Sequence, residues 1–285
     1  QVSNVPVRVT LTAVYFTDEQ HGWAVGHDGV VIRTVDGGEH WIKLLDGHQA
    51  NELVLNKMNQ AVSVLEKKVS SADDTRRGEL EIALEELVFA RDDADSFKRE
   101  GATRPFLDVW FNNKNEGFIV GGYGLFLHTI DGGDTWLPWF EHIDNPDAFH
   151  LNAIKRIGDN LYIAAEAGAL YRSNDLGQTW QTLDSPYDGS FFGISATIDD
   201  GLIVYGLRGN AFMSHNKGNS WQRINTNVDA SFFADTLLPN GVNVIAGSAG
   251  LMLYIDRNGQ VIGRAQTPHK LPLSGMFVHD NTQLV

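Results

Sequence analysis

Short apolar stretches bounded by glycine recur along most of the chain and alternate with polar turns. Gly22–Gly26 (GWAVG) and Gly117–Gly121 (GFIVG) are two such stretches, and each is followed by a glycine-containing turn and a second apolar run. Apolar runs of this length between turn residues are typical of buried strands. The pattern predicts an all-β protein built from a repeated unit.

The second half of the unit carries a clear signature. It reads Ser or Thr, any residue, Asp or Asn, any residue, Gly, any residue, then His, Thr or Ser, and finally Trp. A glycine also stands seven residues before each Asp or Asn, which extends the register well beyond the motif. The four copies occupy residues 34–41, 129–136, 173–180 and 214–221.

The spacing of the copies indicates the architecture. Positions 131, 175 and 216 are 44 and 41 residues apart, a period that suits the four-stranded blade of a β-propeller. A fifth copy keeps Gly250 and Gly259 but has lost the signature, with Arg257 and Ile262 where Asp and Trp are expected. Strand-like residues near both ends (5–9, 273–280 and 282–285) would add a further blade, so we predict six blades, or seven if flanking sequence is missing.

The motif is best interpreted as a turn that stabilises a hairpin. The Asp or Asn oxygen folds back onto turn amides, glycine supplies a positive φ, and the tryptophan covers the hydrophobic seam between blades. Catalysis or calcium binding would need carboxylates that converge on one point, whereas repeated turns are spread around a ring. We therefore assign a structural role to Asp36, Trp41, Asp131, Trp136, Asp175, Trp180, Asn216 and Trp221.

One interval is too long for a blade. Asp36 and Asp131 are 95 positions apart, and the residues from about His48 to Glu100 show no strand alternation. Leu55, Met58, Val62, Leu65 and Val69, then Ala83, Leu87, Ala90, Ala94 and Phe97, instead follow the spacing of three and four that marks a helix face. The sequence predicts an antiparallel α-helical hairpin at residues 47–103, with its turn at residues 70–75, inserted into a propeller at residues 1–46 and 104–285.

These residues resemble the Asp-box (bacterial neuraminidase repeat) propellers. Residues 11–26 and the double-glycine boxes at residues 36–38 and 131–133 are similar to the photosystem II assembly and stability factor family and its relatives in non-photosynthetic bacteria. The resemblance implies an exported, periplasmic or equivalent protein, non-enzymatic and without cofactor or metal. It would bind a membrane protein or envelope complex during assembly. The helical hairpin and the acidic charge depart from that family's pattern.

Composition narrows the choice of partner. The formal net charge of −14 opposes binding to nucleic acid, and the absence of cysteine removes disulfides, thiolate metal sites and cysteine nucleophiles. No apolar run reaches the roughly 18 residues of a membrane helix. A protein partner is the expectation that remains.

Propeller geometry predicts where a partner would bind. The turn after each glycine-bounded strand and the connection into each inner strand should open on one face around the central channel, and their residues vary while the flanking glycine does not. Taken singly, each of these residues could equally be a solvated loop residue. The predicted funnel face comprises His27, Asp28, Arg104, Asp108, Tyr123, His150, Glu166, Tyr187, Arg208 and Asn210, with Asp229 and Ser248 at related positions.

The alternative is a sialidase-like or other glycoside hydrolase, or a glycan-binding propeller. Asp28, Asp108 and Glu166 could face the funnel, and a glycosidase needs two carboxylates about 5 to 10 Å apart. The three arginines, the Tyr–Glu pair and the acid/base Asp of a sialidase are not recognisable, and we expect Arg33 and Arg172 to form blade-surface salt bridges. For the pairs at 191–192 and 232–233 we expect burial between blades, and for Trp139 either exposure or a place beneath the helices.

Overall fold

The computed structural model describes residues 5–279 and 283–284, and four-stranded antiparallel sheets dominate it. Five such sheets are seen in this part of the chain, each formed by four consecutive strands that pair in chain order, and we call them blades one to five. Blade one comprises β1 (Leu11–Phe16), β2 (Gly22–Gly26), β3 (Val31–Thr34) and β4 (Ile42–Leu45). Blade two comprises β5 (Phe106–Phe111), β6 (Gly117–Gly121), β7 (Phe126–Thr129) and β8 (Leu137–Pro138).

The next three blades follow without interruption. Blade three comprises β9 (Leu151–Ile157), β10 (Asn160–Ala165), β11 (Leu170–Ser173) and β12 (Gln181–Thr182). Blade four comprises β13 (Phe191–Ala196), β14 (Leu202–Gly206), β15 (Ala211–Ser214) and β16 (Gln222–Arg223). Blade five comprises β17 (Phe232–Leu237), β18 (Asn243–Gly247), β19 (Leu251–Ile255) and β20 (Val261–Gln266).

The second strand of every blade is buried along its whole length. Such a strand is covered on both faces, which is why these stretches are continuously apolar instead of alternating. The chain divides into two compact units, the first containing blades one and two with the helices, and the second containing blades three to five with residues 122–124. In the first unit Trp23 stacks on Phe111 with ring centroids 3.7 Å apart, and in the second Phe191 and Phe232 are fully buried.

Two helices connect blade one to blade two, as predicted. Helix α1 (Gly47–Ser71) begins at a capping box in which Asp46 and Gln49 exchange hydrogen bonds, and Asp73 caps α2 (Asp74–Glu100) by accepting from the amides of Thr75 and Arg76. Asp and Gln at these positions satisfy amides that have no partner within the helix. The boundaries of the predicted insertion remain a prediction, because the hairpin forms one compact unit with the first two blades.

The helical registers were predicted unequally well. Val62 on α1 and Ala94 on α2 are buried, as the spacing predicts, but Ala83 is exposed. The inward stripe of α2 passes instead through Leu80 and Leu84. The predicted stripe therefore departs from the observed one toward the tip of the hairpin.

The two ends of the described chain differ from expectation. Residues 5–9 form no strand; the side chains of Val5, Val7 and Val9 instead pack on Ala24, Val30 and Ile32 of blade one. Pro6 lacks an amide hydrogen, so it cannot donate a backbone hydrogen bond to a neighbouring strand at this position. Near the other end β21 (Val278–His279) pairs with β22 (Gln283–Leu284), while positions 280–282 and 285 of the predicted final strands lie outside the described residues. The number of blades stays a prediction.

The fifth, decayed copy does form a full blade, but its turn is built differently from the prediction. Arg257 is not the turn acceptor; Asp256, one residue earlier, accepts from the amides of Asn258 and Gln260 at 2.9 and 2.8 Å. The turn between β19 and β20 is therefore shorter than an Asp-box. Among the described residues, no helix is long and apolar enough to cross a membrane.

Candidate functional site

The four Asp-boxes are turn-stabilising motifs. Asp131 Oδ1 accepts from Thr129 Oγ1 at 2.8 Å and from the Thr135 amide at 2.9 Å, and its Oδ2 accepts from Thr135 Oγ1. Asn216 accepts from Ser214 Oγ and the Ser220 amide in the same way, both at 2.9 Å. Because an amide replaces the carboxylate in the fourth copy, the motif requires an acceptor oxygen and not a charge.

The box carboxyls have lowered pKa values. Hydrogen bonds from the His40 amide and side chain lower the pKa of Asp36 to about 2. Burial alone would raise the pKa of Asp131 and of Asp175, but hydrogen bonds from Thr135 and Thr179 outweigh it and leave both pKa values below the usual range. These carboxyls are therefore stabilised in the ionised form.

The box tryptophans close the turns and the seams. Trp136 is buried, while Trp41, Trp180 and Trp221 are half-buried. The indole N–H of Trp41 and of Trp180 donates to the glycine carbonyl three residues earlier, and that of Trp221 donates to Asp184, at the end of blade three. Trp41, Trp180 and Trp221 thus combine apolar cover with a satisfied donor, as an amphipathic ring requires, whereas the buried indole N–H of Trp136 has no hydrogen-bond partner among the described residues.

Arginines at one repeat position hold the box of the following blade. Arg33 on blade one donates to the carbonyl of Gly132 at 3.1 Å and lies 3.0 Å from Asp134. Arg172 on blade three donates to the carbonyl of Lys217 at 2.7 Å. Both arginines therefore link neighbouring blades. Arg33 does so partly through an ion pair with Asp134, as predicted for the blade surface.

The turns between the second and third strands repeat one strained geometry. Asp28, Tyr123 and Arg208 have φ values of 57, 54 and 53°, and glycine with positive φ follows each of them. Two consecutive positive φ values define the tight hairpin turn that fits twisted strands. Because the first of the two is not glycine, each blade presents a side chain at the tip of the turn, and those of Asp28, Tyr123 and Arg208 are exposed.

In blades one, three, four and five, the turn lies against the connection into the inner strand of the same blade. The amide of Glu166 donates to the His150 carbonyl at 2.9 Å, and that of Leu207 donates to Ser190 at 3.1 Å. Corresponding bonds join His27 to Thr10 and Ser248 to Ser231, at 2.9 and 2.8 Å. In these four blades the turn and the connection therefore occupy the same end of the blade.

Three of the predicted funnel residues form one group in the second unit. The rings of Tyr123 and His150 meet edge to face with centroids 4.8 Å apart. Glu166 Oε2 accepts from the His150 amide at 3.2 Å and lies 4.0 Å from His150 Nδ1. All three side chains remain substantially exposed, which suits them to contact a partner.

Arg104 does not belong to an exposed docking face. Only 4% of it is exposed, its Nε and Nη2 donate to Asn51 Oδ1 at 3.1 and 2.7 Å, and its guanidinium lies 4.3 Å from the centroid of the Phe97 ring. Burial lowers its pKa to about 10. The arginine instead fixes the base of the helical hairpin to the start of blade two, a role hidden from the sequence because Asn51 is 53 positions away.

Two further predicted residues also serve the fold. Asn210 is buried, donates to the carbonyl of Leu207 and accepts from Arg223. It therefore stabilises the turn that has Arg208 at its tip. Tyr187 packs its ring near Phe191 and Phe212, within the hydrophobic cluster of blades three and four. Asn210 is therefore not available to a partner, and Tyr187 contributes at least part of its ring to the hydrophobic cluster.

Three carboxylates were considered for glycoside hydrolysis, and they lie on a strand and on two different turns. Asp108 is half-buried on β5 and accepts from the amide of Val109 at 2.8 Å. Asp28 is exposed at its turn, and Glu166 belongs to the group with Tyr123 and His150 described above.

One polar group in the second unit was missed at the level of sequence. Lys155 Nζ on β9 lies 2.8 Å from Asp235 Oδ2 on β17, and Tyr205 Oη donates to Asp235 Oδ1 at 2.7 Å. The carboxylate side chain is only 11% exposed. The sequence places a lysine and an aspartate on two inner strands. Only the register between these strands shows that the two side chains meet.

The remaining predictions concern the burial of aromatic side chains, and their outcomes differ from residue to residue. Phe191 and Phe232 are buried, whereas Phe192 and the partly exposed Phe233 meet each other at 5.4 Å. Trp139 is half-buried against the rings of His128 and Phe118. Burial thus holds for the first residue of each phenylalanine pair.

Three side chains of the first Asp-box carry atoms that could serve as metal ligands, and these atoms lie close together. Single side-chain ligand atoms of Asp36, Glu39 and His40 lie within 4.8 Å of one another. His40 Nδ1 is already 2.8 Å from Asp36 Oδ2. The same contact is made by Thr135 in the second box, so the turn itself explains the arrangement.

A polar cleft of about 610 Å³ lies between β16 and β20 in the second unit. Arg223 and Arg264 line it, but each also holds the fold, Arg223 by donating to Asn210 and Arg264 by donating to the Thr226 carbonyl. None of the predicted funnel residues lines this cleft. The cleft and the turn face are separate features.

Comparison with known proteins points to one family. The profile described as photosynthesis system II assembly factor YCF48 matches residues 1–63 and 98–223. The photosystem II assembly lipoprotein Ycf48 of Synechococcus sp. (strain CC9902) is 25% identical over 169 residues, which are 59% of this chain and 35% of that protein. The chloroplastic photosystem II stability/assembly factor HCF136 of Oryza sativa subsp. japonica is 36% identical over 67 residues, which are 23% of this chain and 16% of that protein.

Solved structures confirm the predicted propeller fold. A structure of YCF48 bound to a D1 peptide superposes with a TM-score of 0.60 at 19% identity, covering 93% of this chain and 69% of that one. YCF48 from Cyanidioschyzon merolae gives 0.55 at 18% identity, covering 90% and 69%. The alignments with the two curated relatives span about a third or less of each relative's length.

Proposed function

Because this chain belongs to the photosynthesis system II assembly factor YCF48 family, we propose that it is a non-enzymatic propeller that binds another protein during assembly of a membrane complex. The site would be the exposed part of the turn face in the second unit, namely Tyr123, His150, Glu166 and Arg208. The observation that carries the proposal is the group formed by Tyr123, His150 and Glu166. It joins an aromatic ring, an imidazole and a carboxylate from two turns and one connection.

The proposed partner is a polypeptide segment of a membrane protein. A YCF48 structure contains a bound D1 peptide, which shows that a protein of this fold can bind a peptide. Exposed tyrosine and histidine rings supply apolar contact with little loss of side-chain freedom, while Glu166 and Arg208 supply charge recognition. An exported location, periplasmic or equivalent, is part of the proposal and is supported by the Synechococcus relative's being named a lipoprotein.

The glycosidase alternative has less support. The matched relatives are named assembly or stability factors, and Asp131 and Asp175 are committed to hairpin turns. The observation on its side is that Glu166 is a carboxylate in an exposed turn. An assay that includes Glu166 can separate the two functions.

The test measures capture and turnover with the same variants. Wild-type protein is used as bait in a solubilised envelope extract, and overlapping peptides of a captured membrane protein are then titrated. Arg208→Glu and Glu166→Lys should slow association, by about tenfold for a charge pair that steers binding, and change the melting temperature by no more than about two degrees. Arg257→Glu, an exposed charge on the turn between β19 and β20, is the matched control and should bind like wild type.

Two outcomes would overturn the proposal. One is peptide binding that is equally affected by the control and the test variants. The other is turnover of aryl glycosides or sialosides that disappears in Glu166→Gln, since this variant keeps the acceptor oxygen but cannot act as a carboxylate.

A further inference from the structure

The distal part of the helical hairpin is an addition to the family pattern. The YCF48 profile matches as far as residue 63 and resumes at residue 98. The unmatched segment, residues 64–97, contains the last two turns of α1, the tip and most of α2. This segment lies outside the residues shared with the family and is available for a role specific to this chain.

The base of the hairpin is firmly held. Asn51 donates to the carbonyls of Phe97 and Gly101 at 2.9 and 2.7 Å and accepts from buried Arg104. The buried residues of α1 also concentrate toward its start, with Val62 the last of them, and α2 has a single buried residue, Ala94. The hairpin is thus anchored at one end and leaves most of α2 exposed to solvent.

An apolar stripe lies on the outward face of α2. Ile82 and Phe89 are 62% and 64% exposed, and seven residues, two helical turns, separate them on one face. Leu80, Leu84 and Leu87 are the more buried residues on the opposite face, toward α1. A Cβ placed on Gly78, one turn before Ile82, would meet nothing within 4 Å, so the space beside this end of the stripe is open. A spacing of seven residues is one at which amphipathic helices present apolar side chains to a binding partner.

Unpaired carboxylates surround the stripe. Glu79, Glu85, Glu86 and Asp93 occupy positions three or four residues from Ile82 or Phe89, and none of them forms an ion pair with a described residue. Three arginines of α2 pair with aspartates of the same helix, Arg77 with Asp74, Arg91 with Asp92 and Arg99 with Asp95. Across residues 64–97 there are ten acidic and five basic side chains. An acidic rim repels a second copy of this acidic chain and attracts a basic partner.

We propose that the stripe of Ile82 and Phe89 on α2, with its rim of Glu85, Glu86 and Asp93, is a second docking site that binds a basic amphipathic helix of a partner protein. The apolar side chains would pack on the apolar face of that helix, and the carboxylates would pair with lysine or arginine at its edges. The proposal does not depend on the turn face, because the two surfaces share no residue. It assigns to the hairpin a function that the repeats do not supply.

The test uses the full chain and a defined probe. The probe is a fluorescent 16-residue helical peptide of leucine and lysine, and its leucine–glutamate counterpart is the charge control. We expect wild type to bind the basic peptide and not the acidic one, with affinity that falls as salt rises. Ile82→Ser combined with Phe89→Ser should weaken binding at least about tenfold, as loss of two central contacts does, and Glu85→Lys with Glu86→Lys should act in the same direction.

Matched controls make the result specific to this stripe. Ile130→Ser combined with Leu271→Ser removes two apolar side chains of similar exposure, 67% and 66%, outside the hairpin, and should leave binding unchanged. Helical circular dichroism of each variant checks that the hairpin is intact.

No binding of the basic peptide by wild type, or equal loss in the control variant, would overturn the proposal. A wild-type dimer that the Ile82→Ser and Phe89→Ser variant abolishes would assign the stripe to self-association instead. The turn-face variant Arg208→Glu should not change this binding, so failure here and failure of the proposed function are distinguishable.

Discussion

Substitution of one box aspartate should test the structural role of the motif. Asp131→Ala removes three hydrogen bonds, from Thr129 Oγ1 at 2.8 Å, the Thr135 amide at 2.9 Å and Thr135 Oγ1 at 2.6 Å. Each is worth about 0.5–1.5 kcal/mol net. Because Asp131 is exposed at the turn and water can replace part of the loss, we expect the free energy of unfolding to fall by about 1–3 kcal/mol.

The fourth copy of the motif provides the control. Asn216 keeps the two acceptor contacts of the box and donates from Nδ2 to Ser220 Oγ at 2.9 Å. Asp131→Asn should therefore cost less than about 1 kcal/mol, since only the bond of the second carboxylate oxygen must be reversed. Urea titration followed by tryptophan fluorescence measures both variants against wild type.

Two results would refute this interpretation. If Asp131→Ala unfolds at the wild-type urea concentration but loses partner binding, the carboxylate is functional and not structural. If Asp131→Asn is as unstable as Asp131→Ala, the negative charge itself is required, and the equivalence of the second and fourth boxes is wrong. Binding of the partner by the folded fraction of Asp131→Ala should otherwise match wild type.

Two further predictions concern acid stability and the base of the hairpin. The pKa values of Asp131 and Asp175 are lowered in the fold, so their stabilisation is fully present above the unfolded value of about 3.9 and is lost as pH falls through the folded values. Replacing both with Asn should make the melting temperature fall less between pH 5 and pH 3, and an unchanged pH profile would contradict this. Arg104→Met should cost about 2–4 kcal/mol, because it leaves a buried Asn51 acceptor unsatisfied, and should speed amide exchange at residues 47–55. Lys98→Met, which breaks only the exposed pair with Glu52, should cost less than about 1 kcal/mol by the same measurements, and equal effects would refute the anchor role of Arg104.

Local signals in the sequence were sufficient for the blades and the helices. The box turns, the buried second strands and the caps of α2 depend on residues within a few positions of one another, so their chemistry can be recognised without tertiary structure. The same reasoning placed Tyr123 and Arg208 at the tips of turns, because the following glycine marks the turn; in blade three the tip residue is Ala167, and Glu166 lies just before it. The family resemblance was likewise carried by short motifs around Trp23 and the double-glycine boxes.

Tertiary structure alone decided which of the predicted surface residues are accessible and which distant groups meet. Arg104 was expected on the turn face but is buried against Asn51, 53 positions earlier, and Asp235 meets Lys155 across 80 positions. Burial and long-range pairing depend on the packing of separate elements, and no local pattern specifies the register between them. The outward stripe of Ile82 and Phe89 likewise became visible only once the face of α2 that packs on α1 was known.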